Sequence, residues 1–344
     1  QFSERKGTVR SKVFMQSLLI VVVVSLLFLT ASCGGGKNAE EQSANSPTSY
    51  SVTDITGRTI HFDAPPQRIV TLSATLDQIV LSVVPPERLV AVDSSMKDPI
   101  NSNMVELASQ IPETIHQPSV EYIVSLHPDV VLVADWQYME LADPLRDARL
   151  KVVIGRGPHD LAEVKDLVAL ATETIGEKRR GEILLEKMDE KLAEIKTKVD
   201  AIPQEKRKSV VFLSLMPTYG GKGSSFDDAC HYAGVINGVS AYGLRNGQEV
   251  TKEVILSINP DILFLPDYPW KGQAWLDEFI RSYTEDPALQ TLKALKNHSL
   301  VSPRSSFLYN CSQDFVYGVQ EIAYRVYGDE FYLPDDAHIS AVDE

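Results

Sequence analysis

Two segments of this chain match at a constant offset of 132 residues, and that repeat constrains the fold more than any other feature of the sequence. The first reads Ser119-Val120-Glu121-Tyr122-Ile123-Val124-Ser125-Leu126-His127-Pro128-Asp129, the second Thr251-Lys252-Glu253-Val254-Ile255-Leu256-Ser257-Ile258-Asn259-Pro260-Asp261. Glu121/Glu253, Ile123/Ile255, Ser125/Ser257, Pro128/Pro260 and Asp129/Asp261 are identical, and the register extends to Asp135/Asp267 and Trp136/Tyr268. In each copy a Ser or Thr suited to cap a helix precedes a Glu at the second helical position. Pro-Asp then ends the helix and an apolar strand follows. One supersecondary unit used twice predicts two related lobes.

The surroundings of each copy extend that prediction. Around the first, β-rich runs at Arg68–Leu72, Leu89–Val92, Asp129–Val133 and Lys151–Ile154 alternate with helical patterns from about Leu76, Val120 and Met139. Around the second, runs at Ser209–Ser214, Asp261–Leu265 and Ser299–Ser302 alternate with helices near Phe226, Lys252, Ala274 and Asp314. Such alternation predicts an α/β fold with two Rossmann-like lobes, each built on a parallel-rich sheet. A small hairpin over Thr53–Phe62 precedes the first lobe. Between the lobes, a helix from about Leu161 to Thr174 leads into a Lys/Glu-rich stretch, Glu177–Ala201. Its apolar residues Ile183, Leu184, Met188, Leu192, Ile195 and Val199 recur at three and four residues, one stripe of an amphipathic helix. At 1.5 Å per residue that helix is roughly 37 Å long, a stiff joint rather than a flexible one. The expected organisation is an N-terminal lobe over 50–160, a connecting helical segment over 161–203, a C-terminal lobe over 204–330 and a tail over 331–344.

The first residues have another character. Arg5, Lys6, Arg10 and Lys12 precede an uncharged run from Val13 to Ala31, the pattern of an export signal over 1–32. The run is also long enough for a permanent transmembrane helix; Cys33 separates the two readings. Leu29-Thr30-Ala31-Ser32-Cys33 resembles a bacterial lipobox, with Thr30 where Leu is commonest, so Cys33 is the expected lipidation site. Residues 33–49, rich in Gly, Asn, Glu and Ser, are too polar to fold and read as a tether. Cys230 and Cys311 fall in the exported part, where either a disulfide or two free thiols is compatible with the sequence.

Charge and motif counts exclude several activities. The net charge of −14, with no Lys/Arg cluster following one face, argues against nucleic acid as a partner. Gly220-Gly221-Lys222-Gly223-Ser224 fails the phosphate-loop pattern because Gly223 follows Lys222. The seven histidines show no spacing that places two ligands on one helix face, so no bare-metal site is predicted. No G-x-S-x-G and no Cys-x-x-Cys occurs.

Four groups of residues carry a family resemblance. They are Thr53-Asp54-x-x-Gly57-Arg58; Pro66-Gln67-Arg68-Ile69-Val70-Thr71-Leu72; Glu121-x-Ile123-x-x-Leu126-x-Pro128-Asp129-Val130-Val131; and Gly234-Val235-Ile236-Asn237 followed by Glu253 and Asn259-Pro260-Asp261. In this order and spacing, covering nearly everything from Ser51 to Gly328, the chain resembles the iron-siderophore, haem and vitamin B12 binding proteins of ABC importers. The resemblance implies a lipid-anchored protein facing the periplasm or the cell exterior. It implies a monomer without enzymatic activity or resident cofactor, which captures a metal chelate and passes it to a permease dimer with its ATPase subunits.

It also assigns candidate roles. Glu121 and Glu253 become the pair that docks on permease arginines, a reading that the two-fold repeat independently suggests; each alone would serve equally to favour its helix dipole. Glu106 and Glu113 are the fallback choices in the first lobe. Ligand contacts are expected on loops leaving the strand ends: Ser73, Thr75, Trp136, Tyr138, Tyr219, Lys222, Tyr242, Arg245, Tyr268, Trp270 and Tyr309. Flat rings suit a conjugated ligand, and Lys222 and Arg245 could meet an anionic chelate. Tyr219, Tyr309 and His231 are candidate axial ligands to a haem iron. A binder of bare or simply chelated metal, and a surface enzyme or sensor on the same scaffold, remain the alternatives.

Overall fold

The computed structural model of the protein describes residues 49–344, so the expected signal segment, the lipidation site Cys33 and nearly all of the tether lie outside the described residues. The described chain opens on an antiparallel hairpin of β1 (Tyr50–Thr53) and β2 (Thr59–Phe62). Its turn is held by Asp54, a buried carboxylate that accepts from the Thr56 N–H at 2.9 Å and the Arg58 N–H at 3.2 Å and pairs with Arg146 at 3.0 Å.

The first lobe is a five-stranded sheet of β3 (Ile69–Thr71), β4 (Leu89–Asp93), β5 (Thr114–Ile115), β6 (Val130–Ala134) and β7 (Val152–Gly155), in spatial order β5-β4-β3-β6-β7. All its pairings are parallel, and apolar residues of β3, β6 and β7 are buried on both faces, as a parallel sheet under helices requires. The second lobe is a four-stranded parallel sheet of β8 (Ser209–Phe212), β9 (Ile236–Asn237), β10 (Ile262–Phe264) and β11 (Leu300–Val301), in order β11-β10-β8-β9. The chain is thus an α/β protein of two Rossmann-like lobes.

The repeat is reproduced atom for atom at its key points. The helices Val120–Ser125 and Lys252–Ile258 are capped by Ser119 and Thr251, whose hydroxyls accept from the Tyr122 and Val254 N–H groups. Each copy then turns through a residue in the left-handed region, His127 (φ 50°) and Asn259 (φ 49°). Asp129 and Asp261 next reach sideways to the start of the neighbouring strand. Asp129 accepts from the Gln67 and Arg68 N–H groups at 2.8 and 2.9 Å, and Asp261 from the Ser209 N–H at 2.9 Å.

A helix over Lys178–Asp200 joins the lobes, preceded by one over Leu161–Thr174. Leu184, Met188, Ile195 and Val199 of the predicted stripe are buried, and Ile183 and Leu192 pack at its margin. Beside the stripe, Lys191–Glu194 and Lys198–Glu194 pairs contribute about 0.3–0.5 kcal/mol each. Pro203, which cannot continue a helix, lies just past its end. Residues 331–344, read as a tail, are packed. Leu333, Ile339 and Ala341 are buried, the Ala341 N–H donates to the Ser82 carbonyl at 2.7 Å, and Lys187 donates to the Ser340 carbonyl at 2.8 Å. This segment therefore touches the first lobe and the joining helix together. Cys230 and Cys311 are both free thiols.

Candidate functional site

A cleft of ≈ 660 Å³ opens between the lobes, lined by loops that leave the C-terminal ends of the parallel strands, where open α/β sheets generally bind ligands. The first lobe contributes Thr75 after β3, Asn101, Asp135 and Trp136 after β6, and Gly157, Pro158 and His159 after β7. The loops after β6 and β7 are fixed to each other: the Gly157 N–H donates to Asp135 Oδ1 at 2.7 Å. The Trp136 indole lies against the same glycine, where a Cβ would stand 2.8 Å from Trp136 Cε3. Only a residue without a side chain lets the ring rest there undisturbed.

The second lobe supplies the deeper wall. Tyr219 and Tyr309 stand with ring centroids 5.6 Å apart, their hydroxyls near Ser225 Oγ (3.0 Å) and Ser214 Oγ (3.5 Å). Burial pushes both phenols well above their usual range, so each is neutral at physiological pH. At the lip, Trp270 is 53% exposed and packs edge-on against Trp275 at 5.6 Å; Trp136 is 44% exposed on the opposite lobe. Tyr268 and Met216 complete this rim.

Of the residues expected at the site, Thr75, Trp136, Tyr219, Tyr268, Trp270 and Tyr309 line the cleft, and the others do not. Ser73 is turned inward, capping the helix Ala74–Leu81 by accepting from the Leu76 N–H. Tyr138 sits in the left-handed region and its hydroxyl donates to the His116 carbonyl at 3.4 Å. Tyr242 ends the helix Gly238–Tyr242, half exposed and away from the cleft. Lys222 and Arg245 lie in two loops zipped backbone to backbone: the Lys222 N–H donates to the Leu244 carbonyl at 2.8 Å. Gly221 permits that approach, since a Cβ there would stand 2.5 Å from the Arg245 carbonyl carbon. Of these two loops, Tyr219 and Asn246 reach the cleft, while Lys222 and Arg245 do not. His231 is exposed on the helix Ser225–Tyr232, its ring against Tyr232, and does not line the cleft either.

His159, like Asn101, Asp135, Met216 and Asn246, lines the cleft without having been among the expected contacts. Its Nδ1 lies 3.1 Å from Glu163 Oε2, and its own N–H donates to the same oxygen at 2.8 Å. That backbone N–H is the main reason the Glu163 carboxyl is held below its ordinary range. The signal available in the sequence was position: His159 follows β7 as Trp136 follows β6.

Glu121 and Glu253 are both exposed, in the first turns of the two repeated helices. Both carboxyls are held below their ordinary range, Glu121 chiefly by its own backbone N–H and Glu253 chiefly by the Thr251 hydroxyl. Among the described residues no three His, Cys, Asp or Glu side chains come together as a metal site, and no helix is long and apolar enough to cross a membrane.

Comparison with known proteins places this geometry. The chain is 26% identical over 194 residues to YhfQ of Bacillus subtilis (strain 168), provisionally assigned as an ABC transporter substrate-binding lipoprotein. The match takes in 55% of this chain and 58% of that one, so the chain spans less than two thirds of the relative's length. Among solved structures it is similar to the periplasmic heme-binding protein RhuT of Roseiflexus sp. RS-1 in apo form (TM-score 0.65, 22% identity, covering 76% of this chain and 98% of that one). It is similar to the molybdate periplasmic binding protein MolA of Haemophilus influenzae (TM-score 0.65, 19% identity, 81% and 91%). It also resembles a protein of an ABC-type Fe3+-hydroxamate transport system from Saccharomonospora viridis (TM-score 0.60, 20% identity, 81% and 99%). At these identities the solved structures speak to the fold alone. The family model described as periplasmic binding protein matches residues 69–305, which spans both lobes and the helix between them. The chain belongs to the periplasmic binding protein family.

Proposed function

We propose that this protein is the substrate-binding lipoprotein of an ABC importer, capturing a metal chelate such as a ferric siderophore, haem or a corrinoid outside the membrane. The observation that carries the reading is the cleft. It has the volume of a small-molecule site, it lies where two α/β lobes face each other, and its walls are Trp136, Tyr219, Tyr268, Trp270 and Tyr309. Rings offer broad contact at small entropic cost, which suits a rigid, flat-faced chelate better than a small ion. The likeness to YhfQ supports the importer role, and the likeness to the heme-binding RhuT and to the hydroxamate-system protein supports a metal chelate as ligand.

In this reading the mechanism is capture and presentation, with no catalytic step and no resident cofactor. Glu121 and Glu253, equivalent in the two lobes, seat the loaded monomer on arginines of a permease dimer that works with ATPase subunits. Cys33 carries the lipid that holds the protein to the membrane. The stiff helix Lys178–Asp200 argues that the lobes close little on the ligand. The residual phenol of Tyr219 or Tyr309 is a poor axial ligand while buried and neutral.

Titration of tryptophan fluorescence tests this directly, because Trp136 and Trp270 line the cleft. Saturable quenching by a hydroxamate or catecholate ferric chelate, haem or cobalamin is expected, with no response to free Fe³⁺, Zn²⁺ or Mn²⁺. A response to free metal alone, or to no chelate, would move the assignment to a bare-ion binder or to a sensor on the same scaffold.

A further inference from the structure

We infer that the cleft selects a metal chelate of zero or positive net charge, and that Asp135 is the side chain setting this preference; the inference rests on the importer reading above. The lining contains one carboxylate, Asp135, and one imidazole, His159, but neither lysine nor arginine. Asp135 is exposed, and only its Oδ1 is engaged, by the Gly157 N–H. His159 is turned to Glu163, whose Oε2 lies 3.1 Å from its Nδ1, so the imidazole comes to the cleft with a carboxylate beside it.

The neighbouring cations lie outside the lining. Lys271 lies over the rings of Trp270 and Trp275, at 4.4 and 5.3 Å, outside the lining. Lys222 and Arg245 belong to the zipped loops beyond the cleft. Arg156, one residue before Gly157, does not line it and acts on Glu163. An anion entering such a site loses its hydration without gaining a charged partner. It also meets the field of a chain whose net charge is −14. Ferric tris-catecholates, multiply anionic, and haem with two ionised propionates are therefore disfavoured. Ferric trishydroxamates, neutral or cationic, and a corrinoid ring match the site.

The test titrates the full chain with three ferric chelates of similar size: a cationic trishydroxamate, a neutral trishydroxamate and an anionic tris-catecholate. Asp135→Asn is measured in parallel; it keeps an oxygen for the Gly157 N–H while removing the charge. Both hydroxamates should bind at least about tenfold more tightly than the catecholate. Asp135→Asn should weaken the cationic chelate by roughly two- to fivefold more than it weakens the neutral one. Added salt acting on the wild-type chain should reproduce that selective loss, which keeps the test intact should the variant fold poorly. A catecholate that binds as tightly as the hydroxamates overturns the charge assignment and leaves the importer reading standing. An unchanged cationic affinity in both the variant and high salt overturns the role of Asp135. Binding of none of the three by a folded chain sinks the inference and the chelate reading together.

Discussion

The side-chain amide of Asn103, in the first lobe, donates to Asp314 Oδ2, in the second, at 2.8 Å and in a site closed to solvent. The other Asp314 oxygen accepts from the Ile339 N–H at 2.8 Å, and the Asn103 amide also reaches the Ala337 carbonyl at 2.7 Å. Two lobes and the C-terminal segment thus meet on one carboxyl group. Burial outweighs these donors and the nearby His338, and pushes the Asp314 carboxyl up to about 6. The folded chain then binds more protons here than the unfolded chain between about pH 4 and pH 6, so this group's contribution to stability falls as pH rises through that window. Urea denaturation of the wild type and Asp314→Asn across that range should show the variant's deficit shrinking as pH rises. A deficit independent of pH would show that the carboxyl does not titrate there.

Glu321 is fully buried and holds two guanidinium groups: Arg304 Nε donates to it at 3.0 Å and Arg325 Nε at 2.7 Å. Removing the carboxylate takes from Arg325 its ion-pair partner and leaves Arg304 only Asp335 and the Leu333 carbonyl. Glu321→Ala should cost about 3–5 kcal/mol of unfolding free energy, read by chemical denaturation. A loss below 1 kcal/mol would mean that water reaches the pair.

Gly157→Ala displaces the indole at the lip and presses more weakly on Asp135 Oδ1, 3.2 Å from the new methyl. The added methyl meets the Trp136 ring at 2.8 Å, and Gly157 does not occupy the left-handed region, so the backbone tolerates alanine. Chelate affinity should fall roughly two- to tenfold while the thermal midpoint barely moves. Unaltered affinity would remove Trp136 from the binding surface.

Charge reversal at Glu121 and Glu253 together separates docking from capture. Neither side chain lines the cleft, so chelate binding by Glu121→Lys/Glu253→Lys should match the wild type. Uptake into cells or vesicles carrying the permease should fall by at least about tenfold. Uptake that survives with binding intact would reduce both residues to helix-terminus stabilisers.

The fold was legible because its main signals are local. Capping hydroxyls at Ser119 and Thr251, the Pro-Asp stops and the apolar strands after them depend on neighbours a few residues away, and they recur at one offset. The β5 and β9 edge strands escaped notice because two residues, Thr114–Ile115 and Ile236–Asn237, are too few to show a period. The site was legible by loop and not by side chain. Strand ends select the loops after β3, β6, β8 and β10, but which way each residue faces depends on distant contacts. Lys222 and Arg245 turn away because Gly221 lets two loops meet, and Ser73 turns inward to satisfy a helix end. No pattern in the sequence announces the first event; the second is a local capping signal of the kind carried by Ser119 and Thr251.

The packed segment over 337–341 has a consequence for the order in which the molecule matures. A chain delivered from its N-terminus presents both sheets before Ala337, Ile339 and Ala341 arrive to engage Asn103, Asp314 and Ser82. Until then the lobes are joined by the direct Asn103–Asp314 contact and the shared core, with the buried carboxyl still short of its Ile339 donor. The last stitch between the lobes is accordingly made only when the end of the chain is in place.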